Sequence, residues 1–270
     1  MAKTKNCGAN KAVSLKQATC KLPKLGARLS EAYSQVLNLA KPGDIVADVG
    51  TDHGFLAAHL AKSGVFSRVI ATDISASSLK KAEILCNSLG LSVEYACGDG
   101  LLAAPECSIA AICGMGAWEI IKILQQPNVA TRFVFVAMQN PKDLREYLLK
   151  NKYIIVQDKL VSQHGKFYFV MSAIKQNGAK KQQVCADYGV NAKDLTKYGK
   201  FELFFGQKFD AKSGLGQLYL QNEINNLNFF ANFDNIKALK FKHKDTWQKY
   251  KYYKLCKKLL QEGQNDPGHN

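Results

Sequence analysis

Ile45-Val46-Ala47-Asp48-Val49-Gly50-Thr51-Asp52-His53-Gly54 decides how the rest of the chain is read. Five small or β-branched apolar-rich residues make a strand, and the glycine that follows opens a tight turn. The apolar spacing of 55–62 then predicts a helix that stops near Gly64. In such a turn a ligand can approach the glycine backbone, and the helix start offers free amide groups. A nicotinamide dinucleotide calls for G-x-G-x-x-G here, with its phosphates on the helix end. Instead Asp48 precedes the glycine and Asp52 stands where a second glycine would be. Negative charge at this place disfavours a pyrophosphate and suits a ligand that carries a cationic sulfonium and an amino group.

Outward from this unit, apolar runs predict further strands at 68–72, 92–97, 109–113, 132–138, 153–159 and 167–174. Helical periodicity falls at 23–40, 75–89, 118–125 and 142–150. Alternation over some 150 residues implies a Rossmann-like α/β fold, a seven-stranded, mostly parallel sheet with both faces covered. Residues 161–166 are too few for a helical crossover, so the last two strands run antiparallel, giving one antiparallel member at the end of the sheet.

Three further strand ends carry chemistry. Asp73, followed by Ile74, closes the second strand 23 residues after Gly50, where a carboxylate can accept both ribose hydroxyls of a nucleoside. Gly98-Asp99-Gly100 closes the third, with freed backbone and an acid able to accept the exocyclic amine of adenine. The fourth ends in Cys113-Gly114-Met115-Gly116, whose two glycines give a backbone rim for a flat base and whose methionine gives a soft apolar wall.

Composition bounds the class. Of 270 residues, 47% are hydrophobic and 22% charged, the proportions of an ordinary soluble protein with a sizeable core. No run approaches the ~18 apolar residues of a membrane span, so no membrane partner is expected. The eight cysteines lie at least six apart, which excludes a zinc ribbon or thioredoxin motif, and no metal is expected. Cys86, Cys97 and Cys113 lie in apolar runs and read as buried thiols. Residues 1–21 read as a disordered basic leader without the apolar stretch of an export signal, which places the chain in a reducing cytoplasm.

The net charge is +15, and 236–260 holds nine lysines against one aspartate. Such a face suits phosphates. Around it the composition changes: 22–175 reads as the catalytic domain, 176–213 as a polar linker, 214–262 as a helical hairpin with helices at 217–232 and 244–262, and 263–270 as a tail.

Taken in order, Asp48-x-Gly50-Thr51-Asp52-His53, the acidic end of the second strand, Gly98-Asp99-Gly100-Leu101 and Gly114-Met115-Gly116 resemble bacterial tRNA (adenine-22 N1)-methyltransferases. Leu25-Gly26-Ala27-Arg28-Leu29 is similar to that family's N-terminal helix, Leu144-Arg145-Glu146-Tyr147-Leu148 to its helix after the fifth strand, and Phe204-Phe205-Gly206 to the motif before its hairpin. The resemblance spans about 22–262. The family usually has Gln-Pro-Asn after strand five where this chain has Met138-Gln139-Asn140-Pro141, and a second glycine where this chain has Ala117-Trp118.

The resemblance implies a class I fold with a C-terminal coiled-coil hairpin, S-adenosylmethionine as cofactor, tRNA as partner and a monomeric enzyme. It makes Asp48, Gly50, Asp52, His53, Asp73, Ile74, Gly98, Asp99 and Gly100 the cofactor site. Gly114, Met115, Gly116, Gln139 and Asn140 become the candidates facing the base. Arg28, Lys237, Lys240, Lys244 and Lys251 become candidates for tRNA contact. Two other readings stay open: a methyltransferase for another RNA or DNA adenine, and a non-catalytic RNA-binding protein on the same fold.

Overall fold

The computed structural model describes residues 21–177, 181–188, 199–233 and 244–264. Seven strands form one sheet: β1 (Ile45–Val49), β2 (Arg68–Asp73), β3 (Glu94–Cys97), β4 (Ile109–Met115), β5 (Arg132–Ala137), β6 (Tyr153–Gln163) and β7 (Lys166–Lys175). Their order is β3-β2-β1-β4-β5-β7-β6. The first five pair in parallel, and β7 is antiparallel to both β5 and β6. The antiparallel strand is therefore second from the edge and not at it. A two-residue turn, His164-Gly165, lets β7 fold back; both residues have positive φ (51° and 72°), as a tight hairpin turn demands. That economy lengthens both strands into the 161–166 stretch that reads as a connection.

From β1 the chain steps outward to β2 and β3, then returns to the other side of β1 with β4. The reversal leaves a crevice at the carboxyl ends of β1 and β4, where open α/β sheets bind ligands.

Helices α1 (Ala27–Leu39), α2 (Phe55–Ser63), α3 (Ala76–Ser88), α4 (Ala117–Leu124) and α5 (Pro141–Lys150) cover the sheet. Strand alternation divides the core in two. Ala110, Ile112, Phe133 and Phe135 pack with α4 and α5, while Ile109, Ala111, Val134 and Val136 pack with α1 and α2. Helix α1 runs against the parallel strands: its first turn lies at their carboxyl ends, and Leu39 O accepts Arg132 Nη1 (3.0 Å) at the start of β5. Arg132 also grips the buried Asp44 with two 2.6 Å bonds. Burial alone would raise the Asp44 pKa, but hydrogen bonds from Arg132, Lys41 and Ser108 hold it below its ordinary value. Cys86 is buried, whereas Cys97, the last residue of the edge strand β3, is exposed. An edge strand has only one neighbour, so its end finds no cover.

Among the described residues of 176–213 are two helices, α6 (Lys181–Asp187) and α7 (Lys200–Phe205). Within α6, Val184 is buried against the α1 side of the sheet. Next come α8 (Gly214–Asn226), a 3-10 turn (Asn228–Phe233) and α9 (Lys244–Gln264). Gln217 lies beside Gly263, and Phe230 lies beside Tyr250, so α8 and α9 are antiparallel. They do not stand apart as a pair. Their core of Tyr219, Leu220 and Cys256 is completed by Phe169 of β7 and Phe205 of α7.

Candidate active site

The turn after β1 is built around Asp48. Its side chain is buried, and Oδ2 accepts Thr51 Oγ1 (2.7 Å) and the amide of Ala57 in the first turn of α2 (3.1 Å). Burial pushes its pKa up to about 6; the two hydrogen bonds oppose that shift and the negative charge of Asp73 adds to it. Gly50 has φ 73°, a left-handed backbone that favours glycine, and a Cβ there would press on the flexible end of Met115 where β1 and β4 diverge. The amides of Gly50 and Thr51 both reach Thr72 O (2.8 and 2.9 Å), which ties the turn to β2.

Asp52 has φ 50°, and its amide donates to Asp73 Oδ2 (3.1 Å). The other oxygen of Asp73 accepts the amide of Ser75 (2.9 Å). Each oxygen keeps a second lone pair for an incoming hydroxyl. The Asp52 carboxylate meets His53 Nδ1 at 2.6 Å. Ile74, 75% exposed, stands beside Asp73. Gly98 donates to Asp73 O (3.0 Å), drawing the end of β3 to the same rim. Gly100 is buried with φ 57°, packed so closely on Ile123 and Gln126 that no side chain fits. Asp99 is exposed, and among the described residues its carboxylate has no hydrogen-bond partner.

Strand β4 extends beyond the expected end at 113, through Gly114 to Met115, with a bulge between Cys113 and Met115. Gly114 has φ 96° and faces open space. Two backbone bonds join this strand end to the next loop: Met138 N to Met115 O (2.8 Å) and Ala117 N to Gln139 O (3.1 Å). Trp118, at the site of the missing second glycine, is 59% exposed.

A cleft of about 280 Å³ lies at the switch point, lined by Arg28, Asp48, Gly50, Asp52, His53 and Gly114 among others. Asp73, Ile74 and Gly98–Gly100, at the ends of β2 and β3, lie outside its lining, and Asp73 is joined to it by the bond from the Asp52 amide. Gln139 and Asn140 do not line the cleft. They border an adjoining groove of about 730 Å³. Arg28 separates the two: it lines the cleft, its Nη1 donates to Met138 Sδ (2.8 Å), and it stands 5.5 Å from the Tyr168 ring centre. Lys244 begins α9 and Lys251 is exposed on it; Lys237 and Lys240 lie outside the described residues.

Sequence reasoning missed Thr51 as the partner of Asp48, although an acid and a hydroxyl three residues apart in a turn are a recurrent local pair. It also left Arg145 without a role. That side chain is fully buried and bonds both oxygens of Asp158 (2.7 and 2.9 Å) and the carbonyls of Leu203 and Phe204 (3.1 Å each). The α5 motif and the Phe204-Phe205-Gly206 motif are thus two halves of one contact. Among the described residues no cluster of His, Cys, Asp and Glu is arranged to hold a metal, and no helix is long and apolar enough to cross a membrane.

The chain is 29% identical over 164 residues to a Mycoplasma pneumoniae protein assigned as a tRNA methyltransferase, a match covering 56% of this chain and 76% of that one. It is 26% identical over 154 residues to the tRNA (adenine(22)-N(1))-methyltransferase of Bacillus subtilis, covering 54% and 65%. Among solved structures, TrmK of M. capricolum, bound to S-adenosylhomocysteine, superposes with a TM-score of 0.68 at 21% identity over 88% of this chain and 98% of that one. Residues 27–171, from α1 into β7 and so including every strand end described above, match the methyltransferase domain family, and the chain belongs to that family.

Proposed function

We propose that the chain transfers the methyl group of S-adenosylmethionine to N1 of adenine 22 in the D-arm of tRNA. The observation that carries this reading is the set of acids at three successive strand ends: Asp48 and Asp52 line the cleft at the switch point, Asp73 is bonded to the Asp52 amide, and Asp99 ends the neighbouring strand. Asp48 and Asp52 suit a cationic ligand; Asp73 offers free lone pairs to ribose hydroxyls; the unpartnered Asp99 suits an exocyclic amine. The exposed side chain of Ile74 suits the flat face of adenine. His53, bonded to Asp52, holds that carboxylate in place. The tRNA substrate is supported by the Bacillus subtilis and Mycoplasma pneumoniae relatives, and position 22 by the Bacillus subtilis one.

When bound, S-adenosylmethionine supplies an electrophilic methyl on a sulfonium. Adenine N1 has an in-plane lone pair and is largely unprotonated at neutral pH, so no general base is needed. The protein's part is alignment and desolvation. Gly114, Met115 and Gly116 form the rim on which the base lies, and Arg28 closes the side toward the groove. Gln139 and Asn140 sit beyond Arg28, where they meet substrate outside the reacting ring. N1 is paired in a duplex, so the base leaves its stack to react. Lys244 and Lys251 of α9, with Lys237 and Lys240, grip phosphates of the same tRNA. The chain acts as a cytoplasmic monomer, which light scattering checks.

The test is incubation with unmodified tRNA transcripts and labelled S-adenosylmethionine, followed by nuclease digestion and mass spectrometry. The expected product is a single N1-methyladenosine at position 22. Methylation of a different adenine would transfer the reading to another RNA substrate. Binding of both ligands without methyl transfer would leave an RNA-binding protein.

A further inference from the structure

Beyond Arg28 and Met138, the groove of about 730 Å³ runs between the loop after β5, the turn of the β6–β7 hairpin, and helices α8 and α9. Its walls carry rings, amides and charged groups, the last being Lys142, Asp143, Lys166 and Glu223. Phe167, Tyr168 and Phe204 are half-buried and present ring surface. Amides stand on opposite lips: Gln139 and Asn140 on one, Asn222 and Asn226 on the other. On the α8–α9 side, Tyr252 Oη donates to Glu223 Oε2 (2.9 Å) and lies 3.1 Å from Tyr219 Oη. Burial raises the Glu223 pKa, against hydrogen bonds from Tyr252, Asn226 and Asn222.

An apolar occupant would bury the remaining donors and acceptors of these amides without partners, at a cost of about 1–3 kcal/mol for each buried group. A phosphate alone would meet Lys142 and Lys166, but also the carboxylates of Asp143 and Glu223, and would leave the rings unused. An unpaired nucleobase uses both rings and amides, stacking its face on the former and bonding its edge to the latter. Continuity with the cleft narrows the choice. Arg28 lines the cleft, Met138 lines the groove, and the two side chains are in contact, so a strand with one base in the cleft has its neighbour within reach of the groove. The basic helix α9 supplies Tyr252 to the groove, and Lys251 and Lys254 on either side of it are exposed.

We propose that this groove takes the nucleobase adjacent to the target adenine in the same RNA strand, so that two consecutive bases leave the stack. This rests on the reading of the chain as a tRNA methyltransferase. Wild-type methyl transfer is therefore measured first; its absence strikes that reading, and the groove falls with it. With transfer established, tRNA carrying 5-iodouridine immediately 5′ or 3′ of the target is bound, irradiated, and the crosslinked peptide is mapped. One of the two positions is expected to crosslink to Phe167, Tyr168 or Phe204. In the double variant Asn222→Leu/Asn226→Leu that crosslink weakens and KM for tRNA rises about tenfold, while kcat and cofactor affinity stay within about twofold. Leucine is a better helix former than asparagine, so α8 is retained. Crosslinks from both positions that fall only outside the groove, with an unchanged KM in the variant, would overturn the proposal.

Discussion

Asp48 is where charge, burial and ligand chemistry meet. Its folded pKa of about 6 lies above the ordinary 3.8, so the folded state holds a proton that the unfolded chain has released. Between those two values the free protein loses stability as pH rises. A cationic ligand works in the other direction, because it favours the carboxylate. Cofactor affinity is expected to strengthen as pH rises through about 6, by at most about tenfold per unit below that point. Calorimetry across a pH series checks this, and Asp48→Asn is expected to give weak binding with a flat profile. A wild-type affinity that does not vary with pH would remove Asp48 from the ligand's surroundings.

Glycines at the ends of α2 separate two costs at the level of the element. Gly54 precedes α2 with φ 73°, and a Cβ there would lie 2.6 Å from Ala82 Cβ and 2.8 Å from Ala82 Cα of α3. Gly64 ends the same helix with φ 67° and open space around it. Gly64→Ala therefore incurs only the left-handed backbone penalty, about 1–2 kcal/mol. Gly54→Ala adds overpacking against another helix's backbone, for a total of about 2–5 kcal/mol. Urea denaturation of the two variants measures the difference. If the two losses were equal, α2 and α3 would have room to move apart.

Two interactions act across the whole molecule. Arg145 joins α5, β6 and α7, and Gly206 has no side chain where the Asp158 carboxyl group lies 2.8 Å from its Cβ position. Arg145→Ala strands a buried acid and is expected to cost about 3–5 kcal/mol, with part of the loss recovered when Asp158→Ala is added. In hydrogen exchange, α7 and α8 are expected to lose protection before the sheet does. The second interaction is long-range. Replacing Lys249, Lys251, Lys254 and Lys258 with Gln is expected to weaken tRNA binding and flatten the slope of log K against log salt by about 0.7–0.9 for each phosphate no longer neutralised. An unchanged slope across a salt series would take these lysines off the RNA.

The β1 turn, the three acids and the alternation of strand and helix were legible in the sequence because each is local. Period-two and period-3.6 patterns report which face a residue buries, and a glycine or acid at a strand end keeps its place in any sheet of this kind. The limits of local signals appear at particular residues. Cys97 reads as buried, yet it closes an edge strand with nothing to cover it. Met115 reads as lying beyond its strand, yet a bulge keeps it paired with Ala137. Gln139 and Asn140 read as facing the reacting base, yet Arg28, 110 residues away from Met138 in the chain, stands between the cleft and their groove. The Arg132–Asp44 and Arg145–Asp158 pairs join residues 88 and 13 positions apart, and no spacing rule connects them. By itself, the sequence determined the fold class and the acids that stand at three strand ends, since short-range periodicity and turn chemistry encode both. Only the tertiary structure decided which strand turns back, which loops share a cavity and how the helical pair is bolted to the sheet, because those depend on contacts between segments distant in the chain.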